Sequence, residues 1–407
     1  MANKPNIRFK GFTDEWKKAP LSDYLVVSSE RNINNQYTAE DVQSVSGEYG
    51  VVNQIEFQGR SFAGTSLLGY RVIHHGEIAY TKSPLKQSPY GIIKANKIEA
   101  GIVSSLYGVY KVKNGYANFI QDYFDLLSRL NGYLRPLVNK GAKNTLLITD
   151  EDAISGDVIF PNEAEQKEVS KIIESISASI TQREKELEKL KNIKRALLEK
   201  LFPQNGSKVP ALRFKEFAEE WEDCKISDIL VERNEQAPQN EDYPLMAFVA
   251  HYGIVSKGER YDRSALIKDS ANKPYKRTRL GDFIYSSNNL DTGSIGMNRY
   301  GNASISPVYS IFLCRREDNP FFVSTRLSMP DVIHSMVLCR QGVTYGQWKI
   351  HESDFLDISV HIPKNKEQQK LGLFISKLDE LFSLREKQLT LLKHTKQALL
   401  EQMFVNE

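Results

Sequence analysis

Three cysteines, Cys224, Cys314 and Cys339, are scattered through 407 residues with no Cys-x-x-Cys spacing. That excludes a disulfide framework and a cysteine-built zinc module. The seven histidines are equally dispersed, and the adjacent His74 and His75 would alternate faces in an extended chain, so no metal site is expected. No apolar run approaches the roughly 18–20 residues of a membrane span. The opening MANKPNIRFKGF is polar and lacks a signal-peptide hydrophobic region. A cytoplasmic protein with no membrane contact is the expectation.

Charge of one sign is missing as well. The 54 Lys+Arg against 51 Asp+Glu leave a formal net charge of +3. Residues 1–161 hold 18 basic and 16 acidic side chains, and residues 205–361 hold 19 and 21. A nucleic-acid binder of this composition must work through local patches, or through partners that neutralise phosphates. Gly-x-Gly-x-x-Gly, Gly-x-x-x-x-Gly-Lys-Ser/Thr, Gly-x-Ser-x-Gly and His-Glu-x-x-His are all absent, so nothing announces a nucleotide, a cofactor or hydrolytic chemistry. Asp318-Asn-Pro-Phe-Phe322 faintly resembles the Asn/Asp-Pro-Pro-Tyr/Phe motif of amino-methyltransferases. It lacks the second proline and reads as a loop before a helix. No catalytic residue is assigned.

What the chain does contain is a duplication. Pro5-Asn-Ile-Arg-Phe-Lys-Gly-Phe-Thr-Asp-Glu-Trp16 and Pro210-Ala-Leu-Arg-Phe-Lys-Glu-Phe-Ala-Glu-Glu-Trp221 agree at seven of twelve positions, 205 residues apart (210 − 5). Gly76-Glu-Ile-Ala-Tyr80 and Gly281-Asp-Phe-Ile-Tyr285 match at the same offset. Arg195-Ala-Leu-Leu-Glu-Lys-Leu-Phe202 and Gln397-Ala-Leu-Leu-Glu-Gln-Met-Phe404 match at 202 (397 − 195). Residues 81–140 and 286–340 share little, so the architecture is repeated while the interiors diverge.

Each repeat ends in a heptad pattern. Val169, Ile173, Ile176, Ile180, Leu187, Leu190, Leu197 and Leu201 alternate four and three apart, with Arg183 and Lys194 at the gaps. Leu371, Ile375, Leu378, Phe382, Leu389, Leu392, Leu399 and Met403 do the same around Arg385 and Lys396. Five sustained heptads predict a long helix, and two in one chain predict an antiparallel coiled coil. The polar gaps set its register or are solvated edges. Pro161 and Pro363 mark the helix starts, Pro203 stops the first, and Gly372 is the one glycine inside. Ile172, Ile193, Leu198, Leu373, Leu381 and Leu400 widen the stripe beyond a two-helix seam, which implies further covering by the globular domains or a partner. A helix of about 40 residues is about 60 Å long.

The globular parts alternate short apolar runs with Gly, Pro and Asn, as in Tyr49–Asn53, Ile78–Tyr80, Gly101–Val112, Phe283–Tyr285 and Val308–Leu313, and predict strands. Helical stretches are expected over 118–135 and 321–338. The fold class is therefore α+β: two mixed α/β domains, 1–161 and 204–362, joined by two long helices, 162–203 and 363–407, with an internal pseudo-two-fold repeat.

Two pairs of loops hold the candidate binding residues. Lys82, Ser83 and Lys86 follow one matched strand, and Ser286, Asn288 and Asn289 follow the other. Lys140, Lys143 and Asn144 precede the first long helix. Arg340, Gln341, Thr344, Tyr345, Gln347 and Lys349 precede the second. Arg and Lys suit guanine and phosphate, Asn and Gln suit adenine, and the same residues also make ordinary polar turns. The residues by themselves leave open a coiled-coil scaffold with two protein- or glycan-binding modules.

Phe160-Pro161 before Glu165-Gln166, and Ile362-Pro363 before Glu367-Gln368, resemble the start of the helix in specificity subunits of type I restriction–modification systems. Ile7-Arg-Phe-Lys-Gly-Phe12 with Trp16, its repeat from Leu212 to Trp221, and the two Ala-Leu-Leu-Glu endings are similar to the same family, over essentially the whole chain. The resemblance implies two target-recognition domains, each reading one half of a bipartite DNA sequence, with the helices as a ruler between them. It implies no catalysis by this chain and, as partners, duplex DNA, two copies of an adenine methyltransferase subunit and motor-nuclease restriction subunits. S-adenosylmethionine, ATP and magnesium would belong to those partners.

Overall fold

A computed structural model of the chain describes residues 3–140, 146–204, 206–250, 253–256, 273–290, 292–315, 318–343 and 347–405. The candidates Lys143, Asn144, Thr344 and Tyr345 lie outside the described residues, as does the side chain of Lys140. The chain forms two compact units, Met1–Lys185 with Lys387–Glu407, and Glu186–Glu386. Each therefore combines a globular part, the start of the long helix that follows it, and the end of the long helix from the other repeat.

The first unit is built on an antiparallel four-stranded sheet in the order Leu25–Val27, Gly108–Val112, Ile78–Tyr80, Ile93–Ala95. The second unit has Leu230–Glu232, Ser310–Cys314, Phe283–Tyr285, Ile295–Met297 in the same order. Matched register places Ile78 opposite Tyr110 in one and Phe283 opposite Phe312 in the other. Two-stranded ribbons, Lys17–Pro20 with Asp157–Phe160 and Glu222–Lys225 with Ser359–Ile362, join the beginning of each globular part to its end. The apolar run Gly101–Val112 is two strands, because Tyr107 N–H donates to Ser104 O in a turn between them.

The expected helical stretches are broken. Pro330 starts a new helix, Pro330–Leu338, after Pro320–Leu327, since proline disfavours helical geometry in the residue before it. In the first unit Ala117–Asp125 and Leu127–Leu134 are separated by Leu126, which is extended and buried with no proline or glycine to mark it. Tertiary packing makes that break. Asn319 caps its helix by accepting from Phe321 and Phe322 N–H, so the Asp318–Phe322 segment is a helix start.

The long helices run Glu163–Leu201 and Asn365–Gln402. Asn162 caps the first by accepting from Glu165 N–H at 3.0 Å. Within the second unit, Lys194 pairs with Asp379 and Lys191 lies 3.7 Å from Glu386, contacts whose order is antiparallel. In the first unit Lys393 reaches Glu184 at 2.6 Å. The gap residues are thus partly accounted for: Lys194 crosses to the neighbouring helix, and Lys396 lies 3.7 Å from Asp125 of the globular part. Ile176, Ile180, Leu190, Leu197, Leu378, Phe382, Leu389, Leu392 and Leu399 are half-buried, and Leu187 is buried. Ile173 and Met403 belong to the core of the first unit, and Leu201 and Ile375 to that of the second. Ile193, Leu373 and Leu381 stay exposed, together with Leu384 and Leu391.

Gly372 has a steric explanation. A Cβ there would stand 2.0 Å from Asn319 Oδ1, so only glycine lets the capping asparagine lie against the helix. Among the described residues no helix is long and apolar enough to cross a membrane, and no group of three His, Cys, Asp or Glu could hold a metal ion.

Candidate nucleic-acid interface

The motif residues meet in space and hold the scaffold. Arg8 donates from both fork nitrogens to the two oxygens of Glu165, at 2.7 Å each. Arg213 does the same to Glu367, at 2.8 and 2.7 Å. Both carboxylates are buried, and bidentate pairing is what allows an ion pair to sit there. The adjoining Gln166 donates to Pro161 O and accepts from Tyr116 N–H, and Gln368 donates to Pro363 O. The Arg-Phe-Lys segments and the Pro…Glu-Gln helix starts therefore form one joint in each unit. Trp16 packs among Phe119 and Phe404, and Trp221 among Phe202 and Phe322.

On this frame the second unit brings its two candidate loops together, and the first fastens the loop after its matched strand to the segment following its other candidate loop. In the first, residues 81–92 leave the sheet and return: Thr81 N–H donates to Ile92 O, and Ile92 N–H to Thr81 Oγ. The closure is tight enough that a Cβ at Gly91, whose φ is +91°, would fall 1.9 Å from Thr81 O. Lys86 is exposed at the turn between Leu85 and Ser88, and Ser83 is half-buried. Lys82, at the base, donates to Asp150 at 2.7 Å, and Asp150 also accepts from Arg71 at 2.6 Å. Burial opposes the Asp150 charge, but the two cations outweigh it and hold the carboxyl below the usual range. Lys82 is therefore committed to bracing the loop against the segment that follows the Asn139–Lys140 strand. Lys86 is the lysine of this loop left exposed.

In the second unit the equivalent excursion is closed by Ser286 N–H to Ser294 O and Ser294 N–H to Asn289 O. Ser286 is buried, and Asn288 and Asn289 are exposed. The hairpin Gln341–Val343 with Gln347–Lys349 lies against it: Trp348 N–H donates to Asn288 Oδ1 at 2.6 Å, and Ile350 N–H to Ser287 Oγ at 3.1 Å. Ser287 stands where Lys82 stands in the first repeat (82 + 205). Both units thus use the same position to fasten the same two segments, one with an ion pair and one with a neutral hydrogen bond. Gln341, Gln347 and Lys349 are exposed on the hairpin, Gln341 lies 3.3 Å from Asp354, and Arg340 is half-buried and engaged.

Trp348, 48% exposed beside these polar groups, was not among the candidates. A tryptophan in sequence gives no sign of its exposure, and only its place in a polar, glycine-flanked stretch pointed toward the surface. Arg71 and Asp150, which position Lys82, were equally hidden, because nothing local links residues so far apart.

No protein-family model matches this sequence, and no curated protein matches it. Solved structures do. The S subunit of the type I restriction–modification system from M. genitalium overlays on 99% of this chain and 100% of its own, with a TM-score of 0.61 and 12% identity. The HsdS subunit from Thermoanaerobacter tengcongensis covers 96% of this chain and 97% of its own at TM-score 0.42 and 14% identity. A structure addressing assembly and conformational transition of the type I system covers the same shares at 0.49 and 14%. The chain has the fold of the M. genitalium S subunit from end to end.

Proposed function

We propose that this chain is the non-catalytic specificity subunit of a type I restriction–modification complex. The observation that carries the reading is the fold shared along the whole chain with the S subunit from M. genitalium. Each globular part reads one half of a bipartite DNA target through its paired loops: Ser83, Lys86, Lys140, Lys143 and Asn144 in the first, Asn288, Asn289, Gln341, Gln347 and Lys349 in the second. Exposed amides and ammonium groups on a rigid, sheet-anchored base suit base edges and phosphates. The divergent interiors of the repeats give two different half-sites.

The long helices act as an antiparallel coiled coil that spaces the two readers. A helix of about 60 Å spans at most about 18 base pairs at 3.4 Å each. Exposed Leu373, Leu381, Leu384 and Leu391 on the second helix provide apolar surface for two adenine methyltransferase subunits, which bring S-adenosylmethionine. Motor-nuclease subunits bring ATP and magnesium. Those partners supply the phosphate neutralisation that a chain of net charge +3 lacks. The adenine is flipped into a partner's pocket, and this chain places the duplex.

The test is to express the chain with its genomic neighbours, purify the complex and map adenine methylation by single-molecule sequencing. One bipartite motif with a modified adenine in each half is the expected result. A stable, cofactor-loaded complex that methylates nothing would overturn the reading.

A further inference from the structure

In the first unit, residues 59–70 carry no regular structure and are nonetheless fixed. Asn53 caps the short helix before them, accepting from Ile55 and Glu56 N–H. Gln54 donates to Ser44 Oγ at 2.9 Å and accepts from Phe62 N–H at 2.6 Å. Further along, Arg31 donates to Gly69 O at 2.8 Å and Asn32 N–H to Tyr70 O at 3.1 Å. The segment also has a small core to fill, Val42, Val72 and Ile102, and it fills it with Ala63, Leu67 and Tyr70. Two aromatic rings are left out of that core: Phe57 is 46% and Phe62 56% exposed.

Arg60 explains one of them. Its guanidinium lies 4.5 Å from the centre of the Phe62 ring, and among the described residues no carboxylate pairs with it. A carboxylate partner neutralises a guanidinium and takes up two of its five N–H groups. A guanidinium resting against an aromatic face is restrained there while all five N–H groups remain open. A phosphate also accepts the planar fork but carries no sequence, whereas guanine presents O6 and N7 as two acceptors in the plane of its major-groove edge. Phe57 stands beside Tyr49, their centroids 5.4 Å apart, as an exposed aromatic pair suited to a thymine methyl or a base step.

Resting on the DNA-reading role proposed above, we infer that Arg60, oriented by Phe62, reads a base pair of the half-site belonging to the first repeat. The acceptors it is suited to are guanine O6 and N7. The loops after the matched strands are then only part of the reading surface, and the segment between the hairpin Gln43–Asn53 and the strand Arg71–Ile73 supplies the rest.

The experiment uses the full chain co-expressed with its methyltransferase partner, comparing the methylated motif for wild type, Arg60→Ala, Arg60→Lys and Phe62→Ala. Arg60→Ala and Arg60→Lys should both relax the preference at one position of one half-site by roughly tenfold or more. Phe62→Ala should relax the same position less, and the other half-site should not change. Three results would overturn the inference: Arg60→Lys keeps the full motif, Arg60→Ala lowers methylation uniformly as a phosphate contact would, or the variants lose the partner subunit while the motif holds. A wild-type complex without any bipartite motif would remove the underlying reading and this inference with it. A wild-type motif that the variants leave intact would remove this inference alone.

Discussion

Trp16 packs edge-on against Phe404, 6.3 Å between ring centres, although the two residues lie near opposite ends of the chain. In the other unit Trp221 meets Phe202 the same way, at 5.9 Å. Backbone bonds repeat the pattern, Ile7 N–H to Gln402 O and Leu212 N–H to Lys200 O. The opening of each repeat is thus completed by the closing helix of the other. Neither repeat encodes a full core, and the resemblance-bearing motifs at the two ends of a repeat serve different units.

Phe404→Ala should therefore damage the first unit and spare the second. The ring also contacts Phe119 at 5.1 Å and Tyr123 at 6.1 Å, and truncating a buried phenylalanine costs about 3–5 kcal/mol. Hydrogen exchange should show lost protection around Phe119 and Ile120 with protection retained around Phe322. Equal loss in both would refute the assignment of this helix end to the first core.

Asp122 should make stability depend on pH. The carboxyl is buried on the helix Ala117–Asp125, and burial, reinforced by Asp125, pushes it up to about 7 against the partial opposition of Lys97, Ser170 and Lys396. An unfolded aspartate titrates near 3.9, so between about pH 4 and 7 the folded state holds a proton the unfolded chain has released. Stability falls across that window as pH rises and levels off above it. Asp122→Asn should flatten the slope and raise stability at pH 8 by roughly 1–3 kcal/mol. Urea midpoints of both proteins at pH 5 and 8 decide the matter; an unchanged slope in the variant would assign it elsewhere.

Gly372→Ala tests the contact with Asn319. The added methyl must displace the capping side chain, at a cost of about 1–3 kcal/mol from overpacking and the lost cap. Helix propensity alone would give a gain of about 1 kcal/mol, so the sign of the change in melting temperature discriminates. Stabilisation would show that Asn319 moves aside freely.

If the proposed role is correct, replacing residues 83–88 should alter one half-site, and replacing Asn288 and Asn289 with Gln347 should alter the other. Inserting seven residues into one long helix should change the tolerated spacer, or break the helix pair, without changing either half-site. Motif mapping reads all three. A loop exchange that changed both half-sites together would rule out independent readers.

The sequence by itself determined the repeat, the two long helices, the principal strands and the position of the paired loops. Those features rest on local rules: a 3.5-residue apolar period, proline at helix starts, glycine and asparagine at turns. They also predicted a stripe broader than a two-helix seam: of the residues that widen it, Leu400 enters the core of the first unit and Leu198 packs against that of the second, while Ile193, Leu373 and Leu381 stay exposed. Tertiary structure alone decided which core received which helix end, because an aromatic residue carries no address for the aromatic residue it will meet. It likewise decided that Lys82 would be a brace for Asp150 while Lys86 stayed exposed. A lysine's composition is the same in both roles, and what separates them is a carboxylate brought to 2.7 Å by a turn distant in the sequence.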